Sequence, residues 1–187
     1  MKIYSIFQHV LILFVTTLLS FDAIAQSKAE PFTAKKAVYF EVGGSSGAYG
    51  LNYGRVFRQK EKLKLNVSAG FSILVRETIN LRKYWLPAIP LEVTAFYGKS
   101  KHHLEMGFGV IPYLDVVSIF DSESLVFKDK VVFTTAMPLR IGYRYQKPEG
   151  GFFFRVGYTP FFSAPIGARE DWVFTPFFGG VSFGKSF

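Results

Sequence analysis

The chain has 187 residues, a formal net charge of +8 and no cysteine, and 49% of its residues are hydrophobic. The length favours a single domain, and the composition excludes a disordered or fibrous chain. The lack of cysteine excludes disulfides, thiolate zinc sites, iron–sulfur clusters and a cysteine nucleophile. Charged residues make up only 19% of the chain, below the usual ~25%. The 22 phenylalanines and 17 glycines are more than a compact water-soluble core of this size usually needs.

Residues 1–25 have the pattern of a cleavable export signal. Lys2 precedes an uncharged apolar stretch that ends at Phe21, and Ala23-Ile24-Ala25 provides the small-x-small pattern of a cleavage site. A transmembrane helix is the alternative, but the continuous apolar run covers only residues 10–15, which is too short to span a bilayer. We therefore expect three segments: a signal peptide (1–25), a polar lead-in (26–36) and one folded domain (37–187).

The rest of the chain shows a period of two, which is typical of strands with two unlike faces. In the stretch 63–76 the odd positions are apolar, from Leu63, Leu65 and Val67 onward, whereas the even positions begin with Lys64 and Asn66. The stretch 131–146 alternates in the same way. Marking every such run predicts eight strands, at approximately 37–44, 48–58, 63–76, 84–98, 102–116, 131–146, 151–163 and 173–187.

The lengths of the strands and of their connections favour a membrane barrel. Several predicted strands exceed ten residues, and about 9–11 residues cross a bilayer at a tilt. Tight polar turns follow the second, fourth and sixth strands, whereas longer loops follow the third, fifth and seventh. This alternation is typical of outer-membrane barrels. The sequence therefore predicts an all-β, eight-stranded antiparallel up-and-down transmembrane barrel, with both mature termini at the end that carries the short turns, the periplasmic end.

The bulk of the two faces predicts which one is outside. A soluble barrel that binds a ligand has an apolar cavity and a polar exterior, and a membrane barrel inverts this arrangement. An eight-stranded barrel has just enough interior room for its own side chains. The bulky apolar face does not fit there, whereas the other face is small or polar, with many glycines, serines and threonines. We therefore expect the apolar face to be outside.

The predicted inner face also carries opposite charges. Glu105, Arg144 and Arg155 lie on consecutive strands near the short turns and should meet in one layer. Charges in a narrow lumen must be paired, because their desolvation is otherwise too costly. We predict a structural ion-pair network, with a gate or proton path as the alternative, formed by Glu41, Glu92, Glu105, Arg140, Arg144 and Arg155. Lys64 points the same way.

Aromatic residues stand at both ends of the apolar belt, as in the girdles of membrane barrels. We expect Tyr84, Trp85 and Trp172 at the loop end and Tyr97 and Tyr145 at the turn end. Six prolines lie inside predicted strands, where each removes a ladder donor, so we expect bulges or frayed strands toward the loop end. They are Pro87, Pro90, Pro112, Pro138, Pro160 and Pro176.

The last nine residues, from Gly179 to Phe187, form an amphipathic strand with a terminal aromatic residue. This end resembles the signal that barrel-assembly machinery recognises, with Phe183 and Phe187 as its aromatic positions. Together with the strand pattern, it makes the chain resemble the small eight-stranded outer-membrane barrels of Gram-negative bacteria, the group that includes OmpX and the OmpA membrane domain. The resemblance implies a porin-like barrel in the bacterial outer membrane, and outer-membrane lipids and the assembly machinery as partners.

The sequence gives weak grounds for an enzyme. His9 lies in the signal, and His102 and His103 lie at a short turn, so a Ser–His pair at the long loops is absent. A site built on loop acids stays open as an alternative, with Asp115, Asp121, Glu123, Glu170 and Asp171 as candidates. We predict no catalytic, metal or cofactor site and a non-enzymatic structural or surface-interaction role. A rim enzyme acting on outer-membrane lipid and a soluble periplasmic ligand-binding barrel are the alternatives.

The charge distribution argues against nucleic acid as a partner. The short turns are basic, with five lysines, whereas acids balance the bases of the long loops. A basic rim suits anionic phospholipid headgroups, although lysines also simply keep turns soluble. We expect a monomer, with loops 117–130 and 164–172 as possible contacts for an extracellular partner. Apolar residues in the first loop, such as Phe120 and Phe127, would either offer a strand edge to that partner or only prolong a hairpin.

Overall fold

The computed structural model describes residues 29–122, 124–166 and 171–187, and it is built almost entirely of β-strands. The expected signal peptide, and Glu123 and Glu170 among the loop acids, lie outside the described residues. No helix in the described ranges is long and apolar enough to cross a membrane. The strands are β1 (Lys36–Gly43), β2 (Tyr49–Lys60), β3 (Leu63–Glu77), β4 (Lys83–Ala88), β5 (Leu91–Tyr97), β6 (His102–Asp121), β7 (Val126–Gln146), β8 (Gly151–Tyr158), β9 (Phe161–Ser163), β10 (Val173–Thr175) and β11 (Gly179–Ser186).

These strands form a closed ring of eight. The eleven strands occupy eight wall positions, and each position pairs antiparallel with the next. β1 pairs with β2 on one side and with β11 on the other, which closes the sheet. Three wall positions contain two strands end to end, namely β4 with β5, β8 with β9, and β10 with β11. The predicted eight-stranded antiparallel up-and-down barrel is therefore confirmed. We call the end at which β1 begins and β11 ends the turn end, and the opposite end the loop end.

Prolines account for the interrupted strands. The ladder breaks around Pro90, Pro160 and Pro176, where β4, β8 and β10 end. The other three prolines remain inside β4, β6 and β7. The register shift that marks a bulge in β2 lies near the turn end instead, at Phe57, between Val56 and Arg58.

The alternation of exposure along the strands follows the sequence pattern. In β3, Leu63 and Val67 are exposed while Lys64 and Asn66 are buried. The stretch 131–146 behaves in the same way, with Phe133 and Leu139 exposed and Arg140 and Arg144 buried. The expected orientation, apolar side chains outside and polar side chains inside, is confirmed.

The interior also holds aromatic rings that the sequence pattern did not predict there. Tyr39, Phe96 and Phe153 are fully buried on the inner faces of β1, β5 and β8. The rings of Tyr39 and Phe153 stack with their centroids 4.8 Å apart. The expectation that the inner face is only small or polar is therefore wrong, because buried arginines give these rings cationic partners.

A row of glycines brings one side of the wall close to the barrel interior. Gly142, Gly157, Gly180 and Gly43 are cross-strand neighbours on β7, β8, β11 and β1. A Cβ on Gly180 would lie 2.4 Å from the backbone nitrogen of Gly44. The row therefore leaves room for the β1–β2 connection, which turns into the barrel at this point.

We expect Gly180→Val to prevent this inward turn, because its side chain would overlap the backbone of Gly44. Overpacking costs about 1–3 kcal/mol or more, and urea unfolding of the barrel in phospholipid vesicles measures the loss. Gly179→Val is the control: it is the exposed neighbour, and its Cβ would meet only the Gly157 carbonyl oxygen, at 3.1 Å. Equal stability of the two variants would contradict the role of the row.

Candidate functional site

Charged side chains fill the middle of the lumen. The Arg140 guanidinium lies 2.6 Å from both the Glu41 and the Glu92 carboxylates. Arg155 contacts the same two carboxylates at 3.0 and 2.8 Å, and a Glu105 oxygen at 3.5 Å. All of these side chains are at most 3% exposed. Because each bridge joins strands from different parts of the wall, the charges tie the barrel together across its axis.

Arg144 completes the network toward the turn end. Its guanidinium lies 3.0 Å from the Glu105 carboxylate and donates two hydrogen bonds to the Gln146 side-chain oxygen. It also lies over the rings of Phe96 and Phe153, at 4.2 and 4.9 Å from their centroids. The structure thus brings all six predicted interior residues into one connected group, in which three guanidinium groups balance three carboxylates.

Lys64 lies in a separate layer at the turn end. Its ammonium donates to the Gly98 carbonyl oxygen and lies 5.0 Å from the centroid of the Phe32 ring. His103 is buried beside it and packs edge-on against Phe32 and Phe96. His102 is exposed, with its Nδ1 2.5 Å from the Tyr143 hydroxyl. Neither histidine lies near the long loops.

The β1–β2 connection closes the lumen from the loop end. Gly44–Ser46 form a single 3-10 turn whose residues are all buried. The Ser45 hydroxyl donates to Glu92 at 2.6 Å, and the Ser46 hydroxyl donates to Glu41 at 2.8 Å. Ser72 fixes the turn from the wall by donating to the Ser46 carbonyl oxygen. Sequence reasoning identified a short connection here, but not that it plugs the barrel; the adjacent small residues Gly43, Gly44, Ser45, Ser46 and Gly47 were the only signal.

The segment before β1 covers the turn end. Phe32 is 3% exposed and packs with Val56 and Phe96 inside the barrel mouth. Its backbone N–H donates to Gln59, and the N–H groups of Thr33 and Ala34 both donate to the Pro148 carbonyl oxygen. The described part of the lead-in is therefore an inner plug, which its mostly polar composition did not indicate.

Most of the predicted girdle residues lie on the outer face of the barrel, but Tyr84 lies on the inner face. Trp85 and Trp172 are exposed near the loop end, and Tyr97 and Tyr145 are half-buried near the turn end. Tyr84 differs from the expectation because it shares a strand face with buried Leu86, is itself half-buried, and donates its hydroxyl to Asp129 at 3.3 Å. At the end of the chain, Phe183 and Phe187 are both exposed.

The β6–β7 hairpin extends beyond the ring and holds an acid at its base. β6 and β7 pair as far as Asp121 and Val126, so most of the predicted loop 117–130 is strand. Burial raises the pKa of Asp129, but hydrogen bonds from Ser118, Thr78, Asn80 and Tyr84 outweigh it and hold that pKa below its usual range. A carboxylate held ionised by neutral donors suits an anchor between two hairpins better than a general base.

Two of the other described loop acids also have partners. Asp115 pairs with Arg76 at 3.2 Å, and Asp121 pairs with Lys128 and accepts a hydrogen bond from Ser124. Asp171 is exposed, and residues 167–170 of the second long loop lie outside the described residues. Within the described residues, no group of three or more His, Cys, Asp or Glu side chains could hold a metal ion.

No protein-family model and no curated protein matches the chain. Among solved structures, the N-terminal β-barrel domain of Pseudomonas aeruginosa OprF is similar, with a TM-score of 0.47 and 13% sequence identity. The match covers 82% of this chain and 96% of that one. The strand pairings of this chain define the fold described above without reference to that structure.

We expect Arg140→Met to reduce the free energy of unfolding by about 3–5 kcal/mol, because it leaves Glu41 and Glu92 without one of their two shared guanidinium partners in a buried site. Arg76→Met breaks the half-exposed pair with Asp115 and should cost roughly 0–1 kcal/mol. Urea unfolding in vesicles compares the two variants. A similar small loss for both would show that the interior pairs contribute little.

Proposed function

We propose that the protein is a non-enzymatic barrel of the bacterial outer membrane with a structural or surface-interaction role. In this proposal the signal peptide is removed on export and both mature termini lie in the periplasm. The main support for this proposal is the combination of an apolar exterior with a lumen whose buried charges balance one another.

The exterior supports a location in lipid. Among the described residues, forty large apolar side chains are exposed while eleven apolar side chains are buried, the reverse of a soluble protein. Leu104 and Phe133 are 71% and 72% exposed near opposite ends of the belt. A soluble periplasmic binder would have to keep this surface in water. The exterior therefore favours the membrane over that alternative.

The lumen supports a structural role over that of a channel. Two plugs and the ion-pair network occupy the described lumen from the turn end up to the β1–β2 turn, in layers that run from Phe32 through Arg144 and Arg140 to Ser46. The same side chains that would line a pore are engaged in bridges across it. We propose that Glu41, Glu92, Glu105, Arg140, Arg144 and Arg155 act as a structural core, in place of the gate or proton path that charged residues could otherwise form.

The β6–β7 hairpin is the proposed contact surface for an extracellular partner. Beyond Tyr113, β6 pairs among the described residues only with β7, so the opposite edge of its upper part carries no strand ladder. Phe120 and Phe127 pack edge-to-face at 5.3 Å and are both exposed. An exposed edge with apolar side chains suits addition of a partner strand. The second proposed contact is the loop 164–172.

Residues at the turn end suggest two further contacts, one with lipid headgroups and one with the barrel-assembly machinery. Lys60, Lys99 and Lys101 are exposed there, Lys147 is half-buried and Lys62 is buried, so the basic rim has fewer accessible charges than its five lysines suggest. We propose that the exposed ones face anionic headgroups. Phe183 and Phe187 on the outer face of the last strand are the proposed assembly signal. We also propose a monomer without a cofactor.

The rim enzyme remains the rival proposal, and the described loop acids give it little support. Asp115, Asp121 and Asp129 are each held by hydrogen bonds or ion pairs. None of them has a described histidine near it to act as a base, since His102 and His103 lie at the turn end.

The membrane location is tested by one matched pair of variants. Phe108→Arg places a charge in the middle of the apolar belt, where it should cost about 2–4 kcal/mol in a bilayer. Phe127→Arg places the same charge on the hairpin above the belt and should cost little. The measurement is the folded fraction in the outer-membrane fraction, read from the change in gel mobility on heating. Recovery of the protein in the soluble periplasmic fraction, or equal tolerance of both variants, would overturn the proposal.

A further inference from the structure

A cavity lies inside the barrel above the β1–β2 plug. It has a volume of about 300 Å³, which is at the lower end of the ~300–1,000 Å³ usual for small-molecule sites. Its lining is mostly apolar and includes Leu74, Ala88, Ile111, Ala136, Phe161 and Phe178. We call this space the loop-end cavity. Nothing in the structural role proposed above requires an empty apolar space above the charged middle of the lumen.

The floor of the loop-end cavity is closed. Ser46 and Gly47 line it from below, and the Ser45 and Ser46 hydroxyls point away from it into the ion-pair network. A molecule in the cavity therefore cannot continue through the lumen. The cavity is a blind pocket and not part of a channel.

The wall beside the cavity is incomplete. The first pair between β2 and β3 is Gly50 with Ser72, so the part of β3 from Ile73 to Glu77 pairs only with β4. Across the opening, β10 pairs only with β9. The gap arises because β1 and β2 turn inward at Gly44–Ser46 while the neighbouring strands continue upward. Among the described residues, two free strand edges thus border a side entrance to the cavity.

The outer surface next to this entrance is apolar and aromatic. Phe174 stacks on Phe162 at 4.6 Å on one flank, and Phe177 beside them is 91% exposed. Phe71 and Val75 are exposed on the other flank. An apolar pocket therefore opens sideways onto an apolar surface.

The free edges fix the depth of the entrance in the membrane. Unpaired backbone groups are not tolerated in hydrocarbon, but headgroups and water can satisfy them at the interface. Trp172 directly precedes β10, and Trp85 is the cross-strand partner of Val75. Tryptophan is enriched at headgroup level. Both flanks therefore carry a residue that marks the interface.

We propose that the loop-end cavity takes one hydrocarbon chain of an outer-leaflet membrane lipid, which enters through the gap between β3 and β10 while its polar headgroup bonds the free strand edges. This inference rests on the proposed membrane location. The apolar lining receives the chain, the blind floor limits its length, and the lipid covers backbone groups that the barrel leaves unpaired.

Photo-crosslinking tests the proposal. The full chain is purified from membranes and reconstituted in phosphatidylethanolamine and phosphatidylglycerol vesicles that contain a phosphatidylethanolamine with a diazirine at the end of one acyl chain. After irradiation, mass spectrometry of peptides should find the lipid on interior residues such as Ile111 and Phe161, and also on outer residues such as Phe108. Labelling of the outer residues alone would overturn the inference while leaving the membrane location intact, whereas absence of both would overturn the location itself.

Two variants fill the cavity from different sides. Ala136→Phe adds bulk at its wall and Leu74→Trp adds bulk at its entrance, and each should reduce interior labelling several-fold with outer labelling unchanged. Ala69→Phe adds the same volume on the outer face and should change neither. A diazirine fatty acid is the last probe: if it labels Ile111 and the phospholipid does not, the occupant is a free single-chain amphiphile and the proposed membrane lipid is wrong.

Discussion

The fold depends on the balance of charge inside a narrow ring. Eight strands leave room only for side chains in the lumen, and here those side chains include three arginines and three glutamates. Each guanidinium presents a planar set of donors that two carboxylates can share, so most of the charged atoms in the group find partners within it. Arg140 Nη1 and Glu105 Oε2 are the members without a hydrogen-bond partner among the described residues. Within this group the three guanidinium groups match the three carboxylates, so that no member is left as an unpaired buried ion. The buried Lys64 ammonium lies outside the group and bonds the Gly98 carbonyl oxygen instead.

This core is held between two short segments that are not part of the wall. The Gly44–Ser46 turn caps it with two hydroxyls, and the Phe32 segment covers the opposite end with an aromatic ring. Neither segment places a charged side chain in the lumen: the first uses serine hydroxyls and the second the Phe32 ring. The inward turn also shortens β1 and β2, and that shortening opens the side of the barrel at the loop end. One local feature thus both seals the lumen and creates the loop-end cavity.

Sequence reasoning predicted the features that depend on alternation along a strand. The ring of eight, the outward apolar face and the inward charged residues all follow from a period of two, which is a local property. It did not predict features that depend on contacts distant in the chain. The Phe32 plug meets Val56 and Phe96, and Tyr84 turns toward Asp129, 45 positions later. The two predicted strands that flank residues 117–130 are also too short, because the ladder between β6 and β7 continues through residues whose alternation is weak.

The orientation of β3 is the claim on which the account most depends, and the lack of cysteine in the chain allows it to be measured directly. Single spin-labelled cysteines at residues 63–69 in vesicles report their access to oxygen, which dissolves in lipid, and to a water-soluble nickel complex. We expect oxygen access at Leu63, Leu65, Val67 and Ala69, and access to neither reagent at Lys64, Asn66 and Ser68. Nickel access at the odd positions, or oxygen access at the even ones, would contradict the account.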